Sequence, residues 1–260
     1  MLTFLKLGGS LITEKEQFET ARREVLIDCL LQVKRFTEDN PQAKILLGHG
    51  SGSFGHHAAK KYKTRNGVFS QADWLGYAEV WYSARKLNNF FIEACHQCAL
   101  PVVDFPVSAA AVSKNGKIEN WNLKPLSQSL TNGLIPVVHG DAAVDEALGG
   151  TILSTEEIFI HLAPSLKPQR LLLAGSEKGV FADFPQKEKL ISKIPAASDA
   201  AQFLEGSQAA DVTGGMASKV SLMQKLVCEN RGLCVRIFSG LEKDAIFHAL
   251  ADDEGGTLIV

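Results

Sequence analysis

The sequence predicts an α/β protein, an open αβα sandwich in which helices cover both faces of a largely parallel central sheet. Short apolar runs typical of buried strands alternate along the whole chain with longer segments of helical periodicity. No repeat, low-complexity tract or long linker interrupts the alternation. We therefore expect residues 1–260 to form a single domain with two halves, 1–165 and 166–260.

The predicted strands are short runs dominated by apolar residues. They are LTFLKL (2–7), KILLGH (44–49), PVVDF (101–105), LIPVVHG (134–140), RLLLAG (170–175), LCVRIFSG (233–240) and GGTLIV (255–260). Within SKNGKIE (113–119), Asn115-Gly116 is a dipeptide typical of a two-residue hairpin turn. The chain thus supplies a core sheet and at least one added hairpin.

The predicted helices have apolar residues on one face or a capping signal at their start. In residues 20–37 that face comprises Val25, Leu26, Cys29, Leu30, Val33 and Phe36. Residues 73–99 form a long helix that we expect Asp73 to cap. The capping box Ser154-Thr155-Glu156-Glu157 begins another helix, and Thr213-Gly214-Gly215 precedes one over about 216–229.

Composition and charge restrict the class of partner. The chain is 45% hydrophobic and 22% charged, with a formal net charge of -2, which is the balance of a soluble globular protein. Because a nucleic-acid backbone demands a basic face, we expect no nucleic-acid partner. No run of about 18 apolar residues occurs and the first residues do not resemble a signal peptide, so we expect a cytoplasmic protein without a membrane partner.

The cysteines raise the question of a metal site. Cys95-His96-Gln97-Cys98 has C-x-x-C spacing, but no second C-x-x-C accompanies it and it lies late in a predicted helix. We therefore expect reduced thiols and no protein-bound metal at this motif.

The stretch GHGSGSFGHH (48–57) contains a glycine loop that matches two nucleotide-binding patterns incompletely. Gly50, Gly52 and Gly55 spell G-x-G-x-x-G, but they follow the second strand, and Asp73, about 20 residues on, begins a helix instead of ending a strand. The P-loop pattern fails because His56 occupies the lysine position. The remaining interpretation is a loop whose backbone N–H groups bind an anion.

Two further glycine loops carry nearby cations. Lys6-Leu7-Gly8-Gly9-Ser10 follows the first strand, and the segment from Asp211 to Lys219 precedes a helix. Because strand-to-helix turns of a parallel sheet share one edge, all three loops should lie together. With Lys6, Lys15 and Lys219 nearby, that edge is predicted to bind several phosphates in a row.

These motifs resemble the amino acid kinase superfamily and, within it, the isopentenyl phosphate kinases. The matching segments are KLGGSLITEK (6–15), GSGSFGH (50–56), VVHGD (137–141), STEEI (154–158) and DVTGGMASK (211–219). The resemblance runs from residue 3 to about 240, and the related fosfomycin kinases share much of it. It implies an open αβα sandwich, a homodimer, ATP with Mg²⁺ over residues 166–260, and the acceptor over residues 1–165. The implied reaction transfers a phosphoryl group from ATP to isopentenyl phosphate.

The resemblance also assigns roles by matching position. Lys6 and Lys219 would hold ATP phosphates, Lys15 would neutralise the transferring group, and His56 would bind the acceptor phosphate. Mg²⁺ would be held mainly by ATP, with no protein ligand. The expected ATP contacts are Lys6, Gly8, Gly9, Ser10, Gly52, Ser176, Gly179, Phe181, Gly215 and Lys219, and the expected acceptor contacts are Ser51, Gly52, His56, Gly140 and Asp141.

Two departures from the family pattern affect these assignments. Glu156 stands where the family has an aspartate in S-G-D-D-I, and it would orient the lysines; the alternative is that Glu156 and Glu157 merely cap a helix. The family's T-D-V-D-G-V-Y is replaced by residues 175–181, which lose two aspartates and gain Lys178. This second departure bears on contacts with the base or ribose.

Other interpretations remain open at this level. The acceptor could be another alkyl phosphate or the phosphonate fosfomycin, and a non-catalytic nucleotide sensor or a kinase of carboxylate acceptors uses the same fold. A prenyl tail would contact the helix at 73–99, where Trp74, Tyr77, Ala78, Trp81 and Tyr82 are candidates. Aromatic residues at helical spacing are, as the alternative, ordinary core.

Overall fold

The computed structural model describes residues 1–14, 17–198, 216–251 and 255–260. The strands in these ranges are β1 (Leu2–Leu7), β2 (Lys44–His49), β3 (Val102–Asp104), β4 (Ala111–Lys114), β5 (Lys117–Trp121), β6 (Ile135–His139), β7 (Asp141–Asp145), β8 (Gly149–Leu153), β9 (Arg170–Gly175), β10 (Val180–Phe181), β11 (Leu190–Ile191), β12 (Lys193–Ile194), β13 (Cys234–Ser239) and β14 (Thr257–Ile259). The α-helices are α1 (Gly9–Ile12), α2 (Arg23–Asp39), α3 (Gly52–Tyr62), α4 (Gln71–Gln97), α5 (Val107–Ala110), α6 (Lys124–Thr131), α7 (Thr155–Leu166), α8 (Met216–Glu229) and α9 (Ala245–Ala251).

The central sheet confirms the predicted fold class. It has eight strands in the order β12-β14-β13-β9-β1-β2-β6-β3. All of its pairings are parallel except that of β13 with β14. The carboxyl ends of the six mutually parallel strands, from β13 to β3 in this order, therefore share one edge of the sheet, as the glycine loops require.

Two apolar layers cover the sheet because successive residues of a buried strand point to opposite faces. Phe4, Leu46 and Val138 contribute to one cluster, which also contains side chains of α6, α7 and α8. Leu5 and Leu47 belong to the other cluster, with side chains of α2, α4 and α9. This arrangement is the αβα sandwich predicted from the apolar runs.

A second sheet, with four strands in the order β5-β4-β7-β8, was only partly predicted. The expected hairpin is confirmed: Asn115 and Gly116 have φ values of 51° and 73°, the left-handed pair that a type I′ turn needs. Strands β7 and β8 were missed because DAAVD and GGTIL are rich in alanine, glycine and aspartate, which are poor strand formers.

The helix starts agree in part with the sequence. Ser154 caps α7 through the predicted capping box with Glu157. The prediction that Asp73 caps the long helix was wrong in position: Ser70 is the N-cap of α4, and Asp73 is the third helical residue of a capping box. Helices α3 and α9 were not predicted.

Among the described residues, none of the helices combines the length and apolar character that a bilayer crossing needs. All five cysteines are free thiols.

Asp145 organises the turn between β7 and β8 and joins it to the β4–β5 hairpin. Its buried carboxylate accepts hydrogen bonds from the backbone N–H groups of Asn115, Gly116, Ala147 and Leu148 at 2.8–3.0 Å, and from the Ser113 hydroxyl at 2.9 Å. Burial by itself would raise the pKa of Asp145, but these hydrogen bonds outweigh it and hold the pKa at about 2.

We expect Asp145→Asn to lower the free energy of unfolding by about 2–3 kcal/mol, because the amide nitrogen would face donors. Since the pKa is depressed in the folded state, the ionised carboxylate stabilises the fold above the unfolded pKa of about 3.9. The difference between wild type and variant should therefore shrink as the pH falls from about 4 towards 2.

Urea unfolding monitored by circular dichroism measures this difference. Glu146→Gln is the matched control, because the neighbouring Glu146 is exposed and pairs with Lys114 at 3.4 Å; it should change stability by less than about 0.5 kcal/mol. Equal stability of Asp145→Asn and wild type at pH 7 would contradict the role given to Asp145.

Candidate active site

The loops that follow β1 and β2 pack backbone against backbone. A Cβ on Gly9 would lie 2.4 Å from the backbone nitrogen of Gly52, and one on Gly50 would lie 2.7 Å from the nitrogen of Gly9. Gly8 donates a hydrogen bond to the carbonyl of Ala174 at 2.7 Å, which joins the same loop to the end of β9. Only glycine allows this approach, so the predicted neighbourhood of the first two loops is confirmed.

Thr13 ties these two loops together. Its hydroxyl donates to the carbonyl of Gly9 at 2.7 Å and accepts from the N–H of Ser53 at 3.0 Å. Gly52 has a φ of +49°, and a side chain there would collide with Thr13. The start of α3 is thereby fixed against the one-turn helix α1, which includes the exposed Ser10.

A carboxylate between two ammonium groups lies beside the glycine loops. Lys6, near the end of β1, has its Nζ 2.5 Å from Oε1 of Glu156, in the first turn of α7. Nζ of Lys219, in the first turn of α8, lies 3.9 Å from the same oxygen. The structure thus unites three of the predicted catalytic residues, which come from distant parts of the chain.

The ionisation of these groups follows from burial and charge. Burial alone would raise the pKa of Glu156, but the charges of Lys6 and then Lys219 outweigh it and hold the pKa at about 2. Burial, followed by repulsion from Lys6, lowers the pKa of Lys219, although its side chain keeps 38% of its surface exposed. An anion arriving at the exposed side of Lys219 would favour the ammonium form.

The two adjacent glutamates have separate tasks. Glu157 completes the capping box with Ser154 and forms an ion pair with Arg65, which also donates to the carbonyl of Ile152 at 2.9 Å. Glu156 forms the lysine contacts instead. The alternative that both glutamates only cap the helix is therefore wrong for Glu156.

The predicted acceptor residues lie on the neighbouring part of the same edge. The Ser51 hydroxyl donates to the carbonyl of Gly140 at 3.2 Å, which connects the loops after β2 and β6. His56 lies on the exposed side of α3. Asp141 is buried, and its carboxylate accepts from the N–H groups of Ala142 at 2.8 Å and Ser108 at 3.4 Å. Its side chain therefore lies beneath this surface.

The loop after β9 carries the residues expected near the nucleotide base or ribose. Ser176 and Phe181 are half-buried, whereas a Cβ on Gly179 would lie 2.7 Å from the Thr257 hydroxyl. Lys178, gained relative to the family pattern, is exposed and lies 3.4 Å from Glu242. This loop is thus held against β14 by close contact with Thr257, whose hydroxyl also accepts from the N–H of Val180 at 2.8 Å.

Two predicted residues, Lys15 and Gly215, lie outside the described residues. The described residues next to Lys15 are anchored: Thr13 and Ala21 form a β-bridge, and the Glu19 carboxylate accepts from the Ser83 hydroxyl at 2.9 Å and from Lys86. No group of three or more histidine, cysteine or acidic side chains suited to a metal ion occurs in the part of the chain that the structure describes.

The aromatic candidates on α4 are mainly exposed. Trp74, Ala78, Trp81 and Tyr82 face outward, so the alternative that they are core residues is wrong for these four. Tyr77 is half-buried against Gly150, and burial followed by the nearby Asp141 charge raises its pKa to about 12. Of the five candidates, Tyr77 is therefore the one that faces the Asp141 side.

A buried polar cluster behind the acceptor loops was not predicted. His49 and His139 end β2 and β6 in register and are each 1% exposed. Asn88 of α4 and Asp104 of β3 lie beside them. The signal in the sequence was a histidine directly before glycine at the end of two apolar strands.

The family model, the related sequences and the solved structures that resemble this chain all indicate the same family. The model of the amino acid kinase family matches residues 1–239. An isopentenyl phosphate kinase of Methanocaldococcus jannaschii is 32% identical, with 100% of this chain and 98% of the relative covered. One of Haloferax volcanii is 35% identical over 84% of this chain and 86% of the relative. A solved structure described as an isopentenyl phosphate kinase superposes with a TM-score of 0.83 and 26% identity, covering 100% of both chains.

Proposed function

The chain belongs to the amino acid kinase family, and we propose that it transfers the terminal phosphoryl group of ATP to isopentenyl phosphate, giving isopentenyl diphosphate and ADP. The observation that carries the proposal is the contact of Glu156 with both Lys6 and Lys219 beside two packed glycine loops. This arrangement suits a row of phosphates, and the relatives named above are isopentenyl phosphate kinases.

The chemistry requires charge neutralisation and positioning more than proton transfer. A phosphate monoester has a second pKa of about 6, so the acceptor is mainly a dianion at neutral pH and can attack without a general base. Lys6 and Lys219 would bind the phosphates of ATP, while Glu156 holds their ammonium groups in place. Mg²⁺ bound to ATP would supply further neutralisation of the phosphate oxygens.

The remaining assignments are proposals of the same kind. The acceptor phosphate would bind near Ser51, Gly140 and His56 in the half formed by residues 1–165, with Lys15 next to the transferring group. ATP would lie over residues 166–260, with Gly215 and the loop containing Ser176, Gly179 and Phe181 around it. The prenyl tail would extend towards Tyr77, because Tyr77 is the tail candidate that lies on the Asp141 side, where the acceptor is assigned.

The Glu156 geometry also argues against a non-catalytic sensor. Although glutamate replaces the family's aspartate, its carboxylate contacts Lys6 at 2.5 Å and lies 3.9 Å from Lys219. The substitution therefore keeps the ion pairs that a kinase needs. A fosfomycin-type phosphonate kinase stays the alternative within the same chemistry.

We propose further that the chain forms a homodimer through β3 and α4. Strand β3 ends the central sheet, and its outer side has no partner strand among the described residues. On α4, which packs on β3, Trp74, Leu75, Trp81 and Tyr82 form an exposed apolar stripe. An unpaired strand edge beside such a stripe suits association with a second copy.

The cytoplasmic location of the protein stays a prediction.

The acceptor assignment is tested by ADP release at fixed ATP and Mg²⁺ with isopentenyl phosphate, fosfomycin or acetylglutamate. We expect kcat/KM for isopentenyl phosphate to exceed that for fosfomycin by at least about 100-fold, since a matched acceptor gains several kcal/mol of transition-state binding. Acetylglutamate should stay at background. Preference for fosfomycin would move the assignment to a phosphonate kinase, and background rates with all three would overturn it.

Replacing Glu156 by Gln should lower kcat by about 100-fold or more, because the two ammonium groups lose the charge that orients them. Glu156→Asp keeps the charge and should retain more activity than Glu156→Gln. Steady-state kinetics measures both variants. Glu157→Gln is the matched control, since glutamine also completes a capping box, and it should stay within about threefold of wild type. A fully active Glu156→Gln would contradict the proposed role.

Light scattering during gel filtration tests the dimer, and the wild type should elute with the mass of two chains. Trp81→Glu should shift the equilibrium towards the monomer by at least about tenfold, because it buries a charge in an apolar interface. Leu31→Glu, at an exposed apolar residue of α2, is the control and should leave the mass unchanged. A monomeric wild type, or a fully dimeric Trp81→Glu, would contradict this interface.

A further inference from the structure

The two buried histidines behind the acceptor loops form a stacked pair. The rings of His49 and His139 are nearly parallel, at 7°, with centroids 5.2 Å apart, and Phe91 stacks on the other face of His49. Each histidine directly precedes a loop glycine, Gly50 or Gly140. The pair therefore lies immediately beneath the surface to which the acceptor phosphate is assigned.

The ring of His49 lies between two oxygen atoms. Its Nδ1 is 3.2 Å from the carbonyl oxygen of Gly50, and its Nε2 is 3.1 Å from Oδ1 of Asn88. The amide nitrogen of Asn88 donates to Asp104 at 2.8 Å, which fixes the amide with its oxygen towards His49. Both ring nitrogens therefore face acceptors.

The ring of His139 has the same kind of surroundings. Its Nδ1 is 3.8 Å from Oδ1 of Asp104, and its Nε2 is 3.8 Å from Oδ2 of Asp141. Neither nitrogen has a hydrogen-bond partner among the described residues. A neutral imidazole has one N–H group, so the two rings offer two donors to four oxygens. One additional proton on Asp141 would turn an acceptor that faces Nε2 of His139 into a donor.

The charges around the pair come from several elements. Arg85 of α4 donates to Asp104 at 2.6 Å and neutralises it. Lys6 of β1 opposes protonation of His49, and Tyr77 of α4 lies on the Asp141 side. Asp141 is therefore the carboxylate of this cluster that lacks a basic side chain of lysine or arginine among its described contacts.

Burial decides where an added proton would rest. Burial, followed by the charges of His49 and Arg85, lowers the pKa of His139 well below its usual range. Burial raises the pKa of Asp141 to about 6, against the opposing hydrogen bonds from Ser108 and Ala142. Of these two groups, Asp141 is therefore the one that would hold an added proton, at Oδ2, which faces Nε2 of His139 at 3.8 Å.

We propose that binding of the acceptor phosphate draws one proton from solvent into the Asp141–His139 pair, which neutralises the carboxylate beneath the acceptor loop. The step is proton binding alone: the proton adds to Oδ2 of Asp141, on the side that faces Nε2 of His139 at 3.8 Å, and no other bond changes. The physical reason is that a dianion next to Gly140 repels an ionised Asp141. This inference rests on the proposed acceptor site and makes His139 a positioning residue of it.

Isothermal titration calorimetry tests the coupling. Isopentenyl phosphate is added to the full chain without ATP at pH 7.5, in buffers with different heats of ionisation, so that the proton uptake is obtained from the slope. We expect wild type to take up about half a proton or more per acceptor bound. His139→Gln and Asp141→Asn should each lower the uptake to less than about a quarter of the wild-type value.

Wild type and the Asp141→Asn variant should also differ in how the affinity for the acceptor depends on pH. Because binding consumes a proton, the wild-type Kd should rise as the pH increases from 6.5 to 8. Asp141→Asn mimics the neutral carboxyl group, so its Kd should be no weaker at pH 7.5 and should vary less than about twofold over that range. His161→Gln is the control, because His161 stacks on Trp121 away from the cluster and should keep the wild-type uptake.

The outcomes separate this inference from the proposed function. If His56 or the acceptor itself takes the proton, the uptake persists in both variants and the inference is wrong while the function stands. If wild type binds the acceptor without proton uptake, the inference is likewise wrong and the proposed function stands. If isopentenyl phosphate does not bind at all, the proposed function is overturned and this inference with it. Should His139→Gln fail to fold, the near-isosteric Asp141→Asn decides alone.

Discussion

The site depends on one interaction, the contact of the Glu156 carboxylate with two ammonium groups. It joins β1, α7 and α8, so residues from the first, middle and last thirds of the chain meet at one point. Without the carboxylate, two cations would be held beside each other in a poorly hydrated place, which is costly. With it, their charge is fixed in position before any phosphate arrives, and such preorganised charge is what phosphoryl transfer exploits.

The packed glycine loops fix the positions of the strands that carry this interaction. Gly9 and Gly50 are in direct backbone contact with the opposite loop, so the distance between the ends of β1 and β2 cannot grow or shrink without breaking the packing. Thr13 adds hydrogen bonds to both loops. Lys6 lies on β1 just before this junction, and its ammonium group is therefore positioned by the sheet instead of by a mobile surface loop.

The sequence predicted the parts of the molecule in which a local pattern and the tertiary structure agree. The parallel sheet followed from apolar runs such as KILLGH, and the start of α7 followed from its capping box. Strands β7 and β8 lack such a pattern because their residues are poor strand formers, and the Asp145 hydrogen bonds that fix the turn between them exist only in the folded chain. The proposed roles of Lys15 and Gly215 stay predictions, since both lie outside the described residues.

For the site, the residue types predicted the chemistry, but they did not predict the directions in which the side chains point. Lys6, Lys219 and Glu156 were found from motifs, whereas the interior direction of the Asp141 side chain required the structure. The inward direction of the Asp141 carboxylate matters because it affects the net charge of the proposed phosphate site. Lys6, Lys219 and Glu156 together carry a charge of +1, and the proposed Lys15 and ATP-bound Mg²⁺ would add to it, against the charges of ATP and a second dianion. An ionised Asp141 beneath the acceptor would reduce this positive charge. A carboxylate that can accept a proton when its neighbourhood becomes more negative removes that opposition, and its burial against His139, at 3.8 Å, is the environment in which the proton can be held.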